Sequence, residues 1–297
     1  MTNTIGWELY RSFLAVLTEG SLSGAARALG LTQPTVGRHI SALETALNQV
    51  LFTRSQVGLL PTEAAESLRG YAEAMRSTAA ALERAAAGHG TGVSGTVRIS
   101  ASEVIGIEVL PPALARLRRE HPGLKLELAA TNRVQNLLLR EADIAVRMTP
   151  PKQEQLIARP VGKVLIGLYA HKDYLLQHGT PATPADLARH TLIGFDEETP
   201  FLRAARKAFP SWTREALSLR ADSDLAQLAL IRAGAGIGFC QAVLAARDKK
   251  LVRVLPESCE LLLETWVTMH EDLRHSPRCK ATFDALVHCL LTHTGQE

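Results

Sequence analysis

One interrupted helical period constrains this chain more than any other feature of its sequence. In SLSGAARALGLTQPTVGRHISALE (21–44), Ser21 is placed to cap a first helix, and Gly30 stands where that helix ends, because glycine adopts the left-handed conformation cheaply. Thr32 then caps a second helix, with Pro34 in its first turn. The apolar residues of the first helix are spaced i, i+3, i+4 and i+7: Leu22, Ala25, Ala26 and Leu29. Two short helices joined by a tight glycine turn predict a helix-turn-helix.

The second helix carries two different faces. Its buried stripe is predicted at Val36, Ile40, Leu43 and Leu47. Its outward face starts beside Pro34 and gathers hydrogen-bonding residues at Gln33, Thr35, Arg38 and His39. The N-terminal part of a recognition helix is the part that reaches base edges in the major groove. This face therefore predicts DNA binding, and an ordinary helical hairpin in an all-α core is the alternative.

The segment LFTRSQVGLLPTEAA (51–65) follows the second helix. Leu51 and Phe52 are expected to close the small core, and Arg54 is placed to contact a phosphate. Gly58 permits a turn, which predicts a short β-wing. A simple loop into the next helix is the alternative.

A long helix is predicted from Thr62, which caps it, to about Ala87. Its 63–88 segment has 26 residues, or roughly 39 Å at the usual helical rise. Apolar and small residues alternate three and four apart, which is a seam of the heptad type: Leu68, Tyr71, Met75, Thr78 and Leu82. The seam predicts pairing of two chains, and packing on its own domain is the alternative. GHGTG (88–92) then reads as a flexible joint.

The second half alternates strand-like and helical runs, which indicates βαβ units around a mostly parallel sheet. Strands are predicted at 95–102, 124–132 and 143–148, with helices at LPPALARLRRE and RVQNLLLREA between them. Ligands of open α/β sheets bind beyond the carboxyl ends of the strands. The residues at those ends are Ser100, Ser102, Thr131, Asn132, Arg147 and Met148. They predict a ligand site with a cation, although they also fit solvated loop starts, and Arg147 also fits a structural ion pair.

Other motifs give weaker evidence of function. RAGAGIGF (232–239) lies between a helical run and a strand, the reverse of a dinucleotide-binding loop, so the glycines are predicted to end a helix and pack tightly. His270, His275 and Cys279 lack a fourth ligand at a zinc-binding spacing. Cys279 and Cys289 are expected to be buried thiols rather than a peroxide-sensing pair. No catalytic grouping stands out, so neither an enzyme nor a cofactor nor a metal is predicted.

Bulk properties are those of a globular protein. The 297 residues suffice for two or three domains, with 46% hydrophobic and 21% charged residues. No apolar run approaches the roughly 20 residues needed to cross a bilayer, and the N-terminal stretch lacks the pattern of a secretion signal. The four cysteines form no C-x-x-C pair. A cytoplasmic protein without membrane contacts is the expectation.

The segments FLAVLTEGSLSGAARALGLTQPTVGRHISALE and LFTRSQVGLLPTEAA resemble the N-terminal winged helix-turn-helix of LysR-type transcriptional regulators. The later segments agree in order and spacing, so the resemblance covers nearly the whole chain. It implies a winged helix-turn-helix domain at 1–62, a linker and dimerisation helix at 63–88, and an effector-binding domain at 93–297. That domain would be an α/β fold of periplasmic-binding-protein type. Its lobe I would comprise 93–162 and 267–297, and its lobe II 163–266.

The resemblance also implies a small-molecule effector between the two lobes. IGFD (193–196) and ADSD (221–224) would line its far side, through Phe195 and Ser223. Effector binding would shift the lobes and change how a homodimer or homotetramer sits on DNA, which requires the effector to prefer one arrangement. A carboxylate is the expected effector class, since Arg147 is its expected partner.

Two departures from the family pattern concern DNA affinity. Family members usually carry a serine where this chain has Gly37, and the glycine removes a contact to the phosphate backbone. The wing of family members often carries a basic residue near Gln56 or Val57, and neither of these residues is basic. Residues 1–62 hold four arginines and three glutamates, a net charge of only +1. Because phosphate neutralisation sets much of DNA affinity, a monomer is expected to bind weakly and two half-sites become necessary.

These observations predict a sequence-specific regulator of transcription that binds a double-stranded DNA operator and responds to an effector. Gln33, Thr35 and Arg38 are expected to read bases, while Ser21 and Arg54 hold phosphates. The alternative is a solute-binding or interaction module without operator specificity.

Overall fold

The computed structural model describes residues 5–55, 58–86, 92–132, 137, 141–151, 153, 155–198, 203, 206 and 212–296. They fall into two compact units, the first comprising the chain up to Ala86 and the second nearly all that follows. Each unit has its own apolar core. In the portions that the structure describes, every helix is too short or too polar to cross a lipid bilayer.

The first unit is mainly helical with one β-hairpin. Its elements are α1 (Trp7–Glu19), α2 (Leu22–Leu29), α3 (Gln33–Leu47), β1 (Phe52–Ser55), β2 (Gly58–Pro61) and α4 (Glu63–Ala86). The hairpin is antiparallel, with Arg54 opposite Leu59. Gly58 has φ 129°, a value that few other residues adopt, and the peptide N–H of Leu59 donates to the carbonyl of Gly20 at 2.8 Å. The predicted wing is confirmed, and it docks on the end of α1.

Local chemistry sets the helix boundaries. The Ser21 hydroxyl accepts a hydrogen bond from the Gly24 N–H at 3.1 Å and caps α2, which ends at Gly30 with φ 66°. The Thr32 hydroxyl caps α3 by accepting from the Thr35 N–H at 3.3 Å. Thr62 caps α4 in the same way, through the Ala65 N–H. The interruption that the sequence shows between 29 and 33 is therefore a real helix end and a real restart.

The core of the first unit joins α1, α2, α3 and the wing. Val16, Val36 and Leu43 are fully buried, and the rings of Phe13 and Phe52 lie 5.7 Å apart. Burial of such side chains stabilises a small domain by about 1.5–3 kcal/mol each. The predicted inner stripe of α3 is thus confirmed, with Leu47 only half-buried at its end.

The second unit is an α/β fold built on one large sheet. Its strands are β3 (Gly95–Ala101), β4 (Leu124–Ala130), β5 (Ile144–Arg147), β6 (Leu156–His171), β7 (Leu192–Gly194), β8 (Leu219–Arg220), β9 (Ile237–Gln241), β10 (Leu251–Val254) and β11 (Glu260–His270). Its helices are α5 (Pro111–Glu120), α6 (Lys172–His178), α7 (Asp224–Arg232), α8 (Ala242–Ala245) and α9 (Pro277–Thr294). A π-helical turn, Ile105–Val109, precedes α5. The helix predicted at RVQNLLLREA falls largely outside the described residues.

The strand order is β4-β3-β5-β11-β6-β9-β7-β8, with β10 also paired to β6. β3 runs parallel to β4 and β5, and β7 runs parallel to β8 and β9. The long strands β6 and β11 instead run antiparallel to each other and to β5, β9 and β10. The expectation of a mostly parallel sheet was wrong, because these two strands cross between two parallel halves. Two parallel halves joined by crossing strands give the predicted two-lobed architecture.

The glycines of RAGAGIGF have the predicted packing role. Helix α7 ends just before Gly234, whose φ is 76°, and β9 begins at Ile237. A Cβ atom at Gly236 would lie 2.3 Å from the Thr191 carbonyl oxygen, and one at Gly238 would lie 2.9 Å from Ile231. The order is helix to strand, so the loop does not open a helix toward a phosphate.

Candidate functional site

The outward face of α3 lies open in the first unit. Gln33, Pro34 and Arg38 are exposed, and Thr35 is half-buried because its hydroxyl lies 2.8 Å from that of Thr32. The face occupies the first two turns of α3, opposite Val36, which is fully buried. A flexible guanidinium and an amide at the N-terminal part of a helix can reach the edges of base pairs. We call Gln33, Pro34, Thr35 and Arg38 the α3 face.

His39 does not belong to the α3 face, which corrects the expectation that it points outward. Its Nδ1 lies 2.8 Å from the hydroxyl of Ser12, a fully buried residue of α1. The imidazole is half-buried between the two helices. Sequence periodicity placed it at the margin of the face, and the α1 hydroxyl that attracts it lies 27 residues away. His39 fixes the angle between α1 and α3.

Two further residues predicted to contact phosphates lie beside this helix pair. Arg54 is exposed on β1 of the wing. Ser21 is half-buried, and its oxygen accepts the α2 capping bond, which leaves its hydroxyl proton able to donate. Positions 56 and 57, where the family often carries a basic residue, lie outside the described residues.

Helix α4 changes character along its length. Ala65 and Ala72 are buried in the core of the first unit, and Leu68 packs against that core. Tyr71 is 76% exposed and Leu82 72% exposed, with Met75 and Thr78 also exposed. Packing on its own domain therefore explains the start of the helix, including Leu68. The rest of the predicted seam presents large apolar side chains to solvent, which soluble helices seldom do without a partner.

In the second unit, the ends of β3 and β5 bring a cation and a hydroxyl together. The Arg147 guanidinium donates to the Ser100 hydroxyl at 2.6 Å and to the Val146 carbonyl at 2.9 Å. Burial lowers the pKa of Arg147 to about 10, so the group still carries its charge at neutral pH. Ser100 is fully buried, and Met148 is half-buried beside Arg147 in sequence. This partly desolvated cation is suited to an anionic group.

A second set of polar groups joins the strand ends to the start of α7. The Ser223 hydroxyl donates to the Glu103 carboxylate at 2.9 Å, and the Glu103 N–H donates to the Asn132 side-chain carbonyl at 3.1 Å. The Asn132 amide in turn donates to the Asp224 carboxylate. We call Glu103, Asn132, Ser223 and Asp224 the clasp. It connects the lobe of β3 and β4 to the lobe of α7.

Burial raises the pKa of Asp224, the Asn132 hydrogen bond opposes that rise, and the nearby Glu103 charge adds to it. Ser102 and Thr131 are half-buried, and each directly precedes a clasp residue in the sequence. The Thr131 N–H donates to the Ala101 carbonyl at 2.8 Å. Among the described residues, the Ser102 hydroxyl oxygen is buried with no hydrogen-bond partner. The strand-end residues thus gather at one edge of the sheet, as predicted.

The far side differs from the expectation at Phe195. Its side chain is 6% exposed and belongs to an apolar core with Leu192 and Trp212, so it forms part of the fold rather than an open wall. The polar group there is Asp222, whose carboxylate accepts from the N–H groups of Asp196 and Glu197 at 2.8 Å each. A hydrophobic residue at a strand end, such as Phe195, can line a pocket or lie in the core, and the sequence alone did not distinguish these two positions.

The cysteines and histidines of the C-terminal segment are separated by the fold. Cys279 and Cys289 form no disulfide, and they lie ten positions apart on α9, about 15 Å by helical rise, too far to bridge. Cys279 is buried and Cys289 half-buried. The His270 Nδ1 accepts from the Asp272 N–H at 3.2 Å. In the part of the chain that the structure describes, no three His, Cys, Asp or Glu side chains group as metal ligands do.

Comparison with known families decides the identity of these two units. The family of bacterial regulatory helix-turn-helix proteins of the lysR type matches residues 7–66, and the LysR substrate binding domain matches residues 90–289. The chain belongs to the LysR family. It is a LysR-type transcriptional regulator with an N-terminal helix-turn-helix DNA-binding domain and a C-terminal substrate-binding domain.

Known proteins resemble this LysR-type regulator over most of its length. It is 28% identical over 250 residues to a probable HTH-type transcriptional regulator, LtrA of Klebsiella pneumoniae, with 82% of this chain and 81% of that protein covered. Its fold matches the full-length Vibrio cholerae virulence activator AphB with a TM-score of 0.62 at 22% identity, over 95% of this chain and 99% of that one. Full-length CbnR in complex with its target DNA matches with a TM-score of 0.62 at 20% identity, over 96% and 99%.

Three carboxylates near the strand ends have partners that the sequence analysis did not assign, although Asp222 and Asp224 fall within its ADSD (221–224) segment. Glu103 and Asp224 belong to the clasp, and Asp222 holds the loop at 196–197. A signal was present, because each carboxylate lies just after a strand end or just before a helix, where acidic side chains find backbone N–H groups. The pairing of Glu103 with Ser223, 120 residues away, had no local signal.

Proposed function

We propose that this LysR-type regulator binds a specific double-stranded DNA operator through the α3 face and adjusts that binding, or activation, to a small anionic effector held between its two lobes. It acts as a regulator in the cytoplasm rather than as an enzyme, without a resident cofactor or metal. The proposal divides the chain as 1–62 for DNA, 63–88 for dimerisation and 93–297 for the effector. The open polar α3 face within a helix-turn-helix is the observation that carries it.

Base reading is assigned to Gln33, Thr35 and Arg38. Arginine pairs in a bidentate manner with guanine and glutamine with adenine, so the two long side chains supply specificity. Pro34 lies in the first turn of the helix that presents them, while Ser21 at the start of α2 and Arg54 on β1 hold phosphates. His39, which is bonded to Ser12, contributes the angle of α3 rather than a base contact.

Self-association is assigned to α4. The exposed apolar residues that follow its buried start would pair with the same helix of a second chain: Tyr71, Met75 and Leu82, with Thr78 between them. Leu68 continues that seam from its partly buried position. A net charge of +1 on residues 1–62 gives one chain little phosphate neutralisation, so a dimer or tetramer on two half-sites is needed. The full-length CbnR structure, which shares this fold and holds target DNA, supports DNA binding by a chain of this architecture.

The effector is assigned to the strand ends beside Arg147. Ser100 orients the guanidinium, and Ser102, Thr131, Asn132, Met148 and Ser223 complete the polar and apolar surroundings, whereas Phe195 supports them from within the core. A carboxylate suits the site because the cation is already partly removed from water. Effector binding then competes with, or reinforces, the clasp between the lobes.

The test is selection of bound DNA fragments from the chain's own genome, followed by a salt titration on the selected site and on unrelated DNA. We expect the selected site to bind at least about 1000-fold more tightly than unrelated DNA, the lower end of specific recognition. Equal affinity for all fragments would instead indicate an interaction module without operator specificity. Genes near the selected site would suggest the chemistry of the effector.

The effector assignment has its own test. Arg147→Ala should abolish the response of operator binding to an anionic effector while leaving effector-free operator affinity within about twofold, because Arg147 lies in the second unit. A mutant that responds normally would show that Arg147 does not hold the effector.

A further inference from the structure

A cavity of about 330 Å³ lies in the second unit, and neither Arg147 nor the other strand-end residues line it. Three helices border it, each with residues spaced along one face. Val109 comes from the π-helical turn, and Pro112, Ala113 and Arg116 come from α5. Val243 lies in α8 and Arg247 just after it, and α9 contributes His288, Cys289, Thr292 and His293. Its volume is at the lower end of those found for small-molecule sites, about 300–1,000 Å³.

Positive charge surrounds the mouth of this cavity. Arg116 and Arg247 are both exposed at its edge, and the lining contains no aspartate or glutamate among the described residues. Burial raises the pKa of the Cys289 thiol, and the positive charges of both arginines act against that rise. The neighbouring Glu108 carboxylate is already paired with Arg232 at 2.7 Å.

The interior of the cavity is apolar except for one buried histidine. Val109 and Ala113 are buried walls, and Val243 is the more exposed wall opposite them. His293 is 5% exposed, with its Nε2 3.1 Å from the Gln241 side-chain oxygen. Its Nδ1 is buried and has no hydrogen-bond partner among the described residues. Because the Gln241 oxygen accepts from the Nε2–H, Nδ1 is the unprotonated nitrogen of the neutral ring, and it can accept a hydrogen bond from a donor.

We propose that this cavity is a second ligand site, which takes a small carboxylate with an apolar body, such as an aromatic or branched-chain acid. Arg116 and Arg247 hold the carboxylate at the mouth, while the apolar body lies against Val109, Ala113 and Val243. The two guanidinium groups make the site selective for anions. The apolar walls favour anions that carry an apolar group over small inorganic anions. The site does not depend on the proposed cleft at Arg147.

Occupation of this site would act on the junction of the lobes. Arg247 donates to the Glu108 carbonyl at 2.9 Å, and the Glu108 carboxylate binds Arg232 at the end of α7. The walls from α5 and α9 belong to the lobe of β3, and Val243 and Arg247 follow β9 of the other lobe. A ligand that contacts both sets stabilises the arrangement in which they lie together. A ligand in this cavity could therefore adjust how the proposed cleft at Arg147 responds to its effector.

The experiment is isothermal titration of the full chain with benzoate, using benzyl alcohol as the uncharged analogue and inorganic phosphate as an anion without an apolar body. Arg147→Ala removes the cleft cation, so the titrations are made in that variant as well as in the unchanged chain. Arg116→Gln tests the second site, and Arg119→Gln, an exposed arginine one turn further along α5 and outside the cavity, is the matched control.

We expect benzoate to bind the Arg147→Ala variant at millimolar concentration and added Arg116→Gln to weaken that binding about tenfold, equivalent to roughly 1.4 kcal/mol. Arg119→Gln should leave it unchanged, and neither benzyl alcohol nor phosphate should bind. Saturating benzoate should also slow alkylation of Cys289 by N-ethylmaleimide, and Arg116→Gln should remove that protection.

Three results would overturn the proposal. If benzoate binding is lost in Arg147→Ala and unchanged in Arg116→Gln, benzoate binds only at the cleft. Phosphate binding as tight as benzoate binding shows that charge, and not the apolar wall, determines the ligand. No benzoate binding in any variant at millimolar concentration shows that the cavity is not a carboxylate site, and it leaves operator binding through the α3 face untouched.

Discussion

The α3 face and the proposed effector cleft are built in opposite ways. The four residues of the α3 face lie within a span of six positions, Gln33 to Arg38, on one helix with its own caps. The cleft instead gathers Ser100, Asn132, Arg147 and Ser223 from four separate segments, and its side chains bond mainly to one another. The first is specified by local spacing and the second by the pairing of distant strands.

This difference explains where each site is vulnerable. The α3 face depends on the packing beneath it, because its own side chains make few bonds within the protein. The cleft depends on hydrogen bonds across it, because its members are held by partners on other segments. Changes under α3 should therefore cost more than changes on its surface, and changes in the cleft should be strongly coupled.

The largest expected effect comes from Val36→Asp. Val36 is fully buried under the α3 face, and an unpaired carboxylate there costs about 3–5 kcal/mol. We expect the first unit to unfold and DNA binding to be lost, while benzoate or effector binding by the second unit persists. Thermal unfolding and operator binding measure the two outcomes.

Ala42→Asp is the matched control, since Ala42 is exposed on the same helix. It should leave the first unit folded. Operator binding by Val36→Asp at the original affinity would contradict the packing of α3 described above.

The next effect in size is that of Arg38→Ala, which removes a side chain from the surface of α3 without touching its core. It should cost about 1–3 kcal/mol at the cognate operator and relax preference at one base position. Arg27→Ala removes the same charge from the exposed side of α2 and should lower affinity evenly across DNA sequences. Binding to a library of operator variants separates the two, and an even loss for Arg38→Ala as well would exclude base reading by Arg38.

The same contrast sets how much of the molecule could be predicted from its sequence. Ser21, Gly30 and Thr32 act within a few residues of themselves, so capping chemistry placed the helices correctly. The sequence did not mark the start of β6 at Leu156, because its partner β11 lies about a hundred residues further along the chain. His39 and Phe195 were misjudged for the same reason, since Ser12 and Trp212 decide their positions from a distance.

A smaller effect tests the clasp. Glu103→Ala and Ser223→Ala each remove one end of the 2.9 Å hydrogen bond, and Ser223→Ala also removes the cap of α7. A double-mutant cycle cancels the cap and isolates the bond. We expect a coupling of about 1–2 kcal/mol in the urea unfolding of the second unit, as for a hydrogen bond to a charged group. Strictly additive losses would mean that the two lobes are not held together by this pair.

The smallest expected effect is a gain in the stability of the first unit and in DNA affinity, and it comes from replacing Gly37. A Cβ atom there would lie 3.7 Å from Leu22, an ordinary contact, so the helix accepts a side chain at this position. Gly37→Ala and Gly37→Ser should both stabilise the first unit, by about 0.5–1 kcal/mol, because glycine is costly inside a helix. Only the serine carries the hydroxyl that the family usually places there, so only Gly37→Ser should tighten binding, by a few-fold and equally on all DNA sequences. The salt dependence should stay unchanged, since a neutral hydroxyl releases no extra counterion. If the alanine variant tightens binding as much as the serine variant, the gain comes from helix stability, and the missing phosphate contact does not limit this α3.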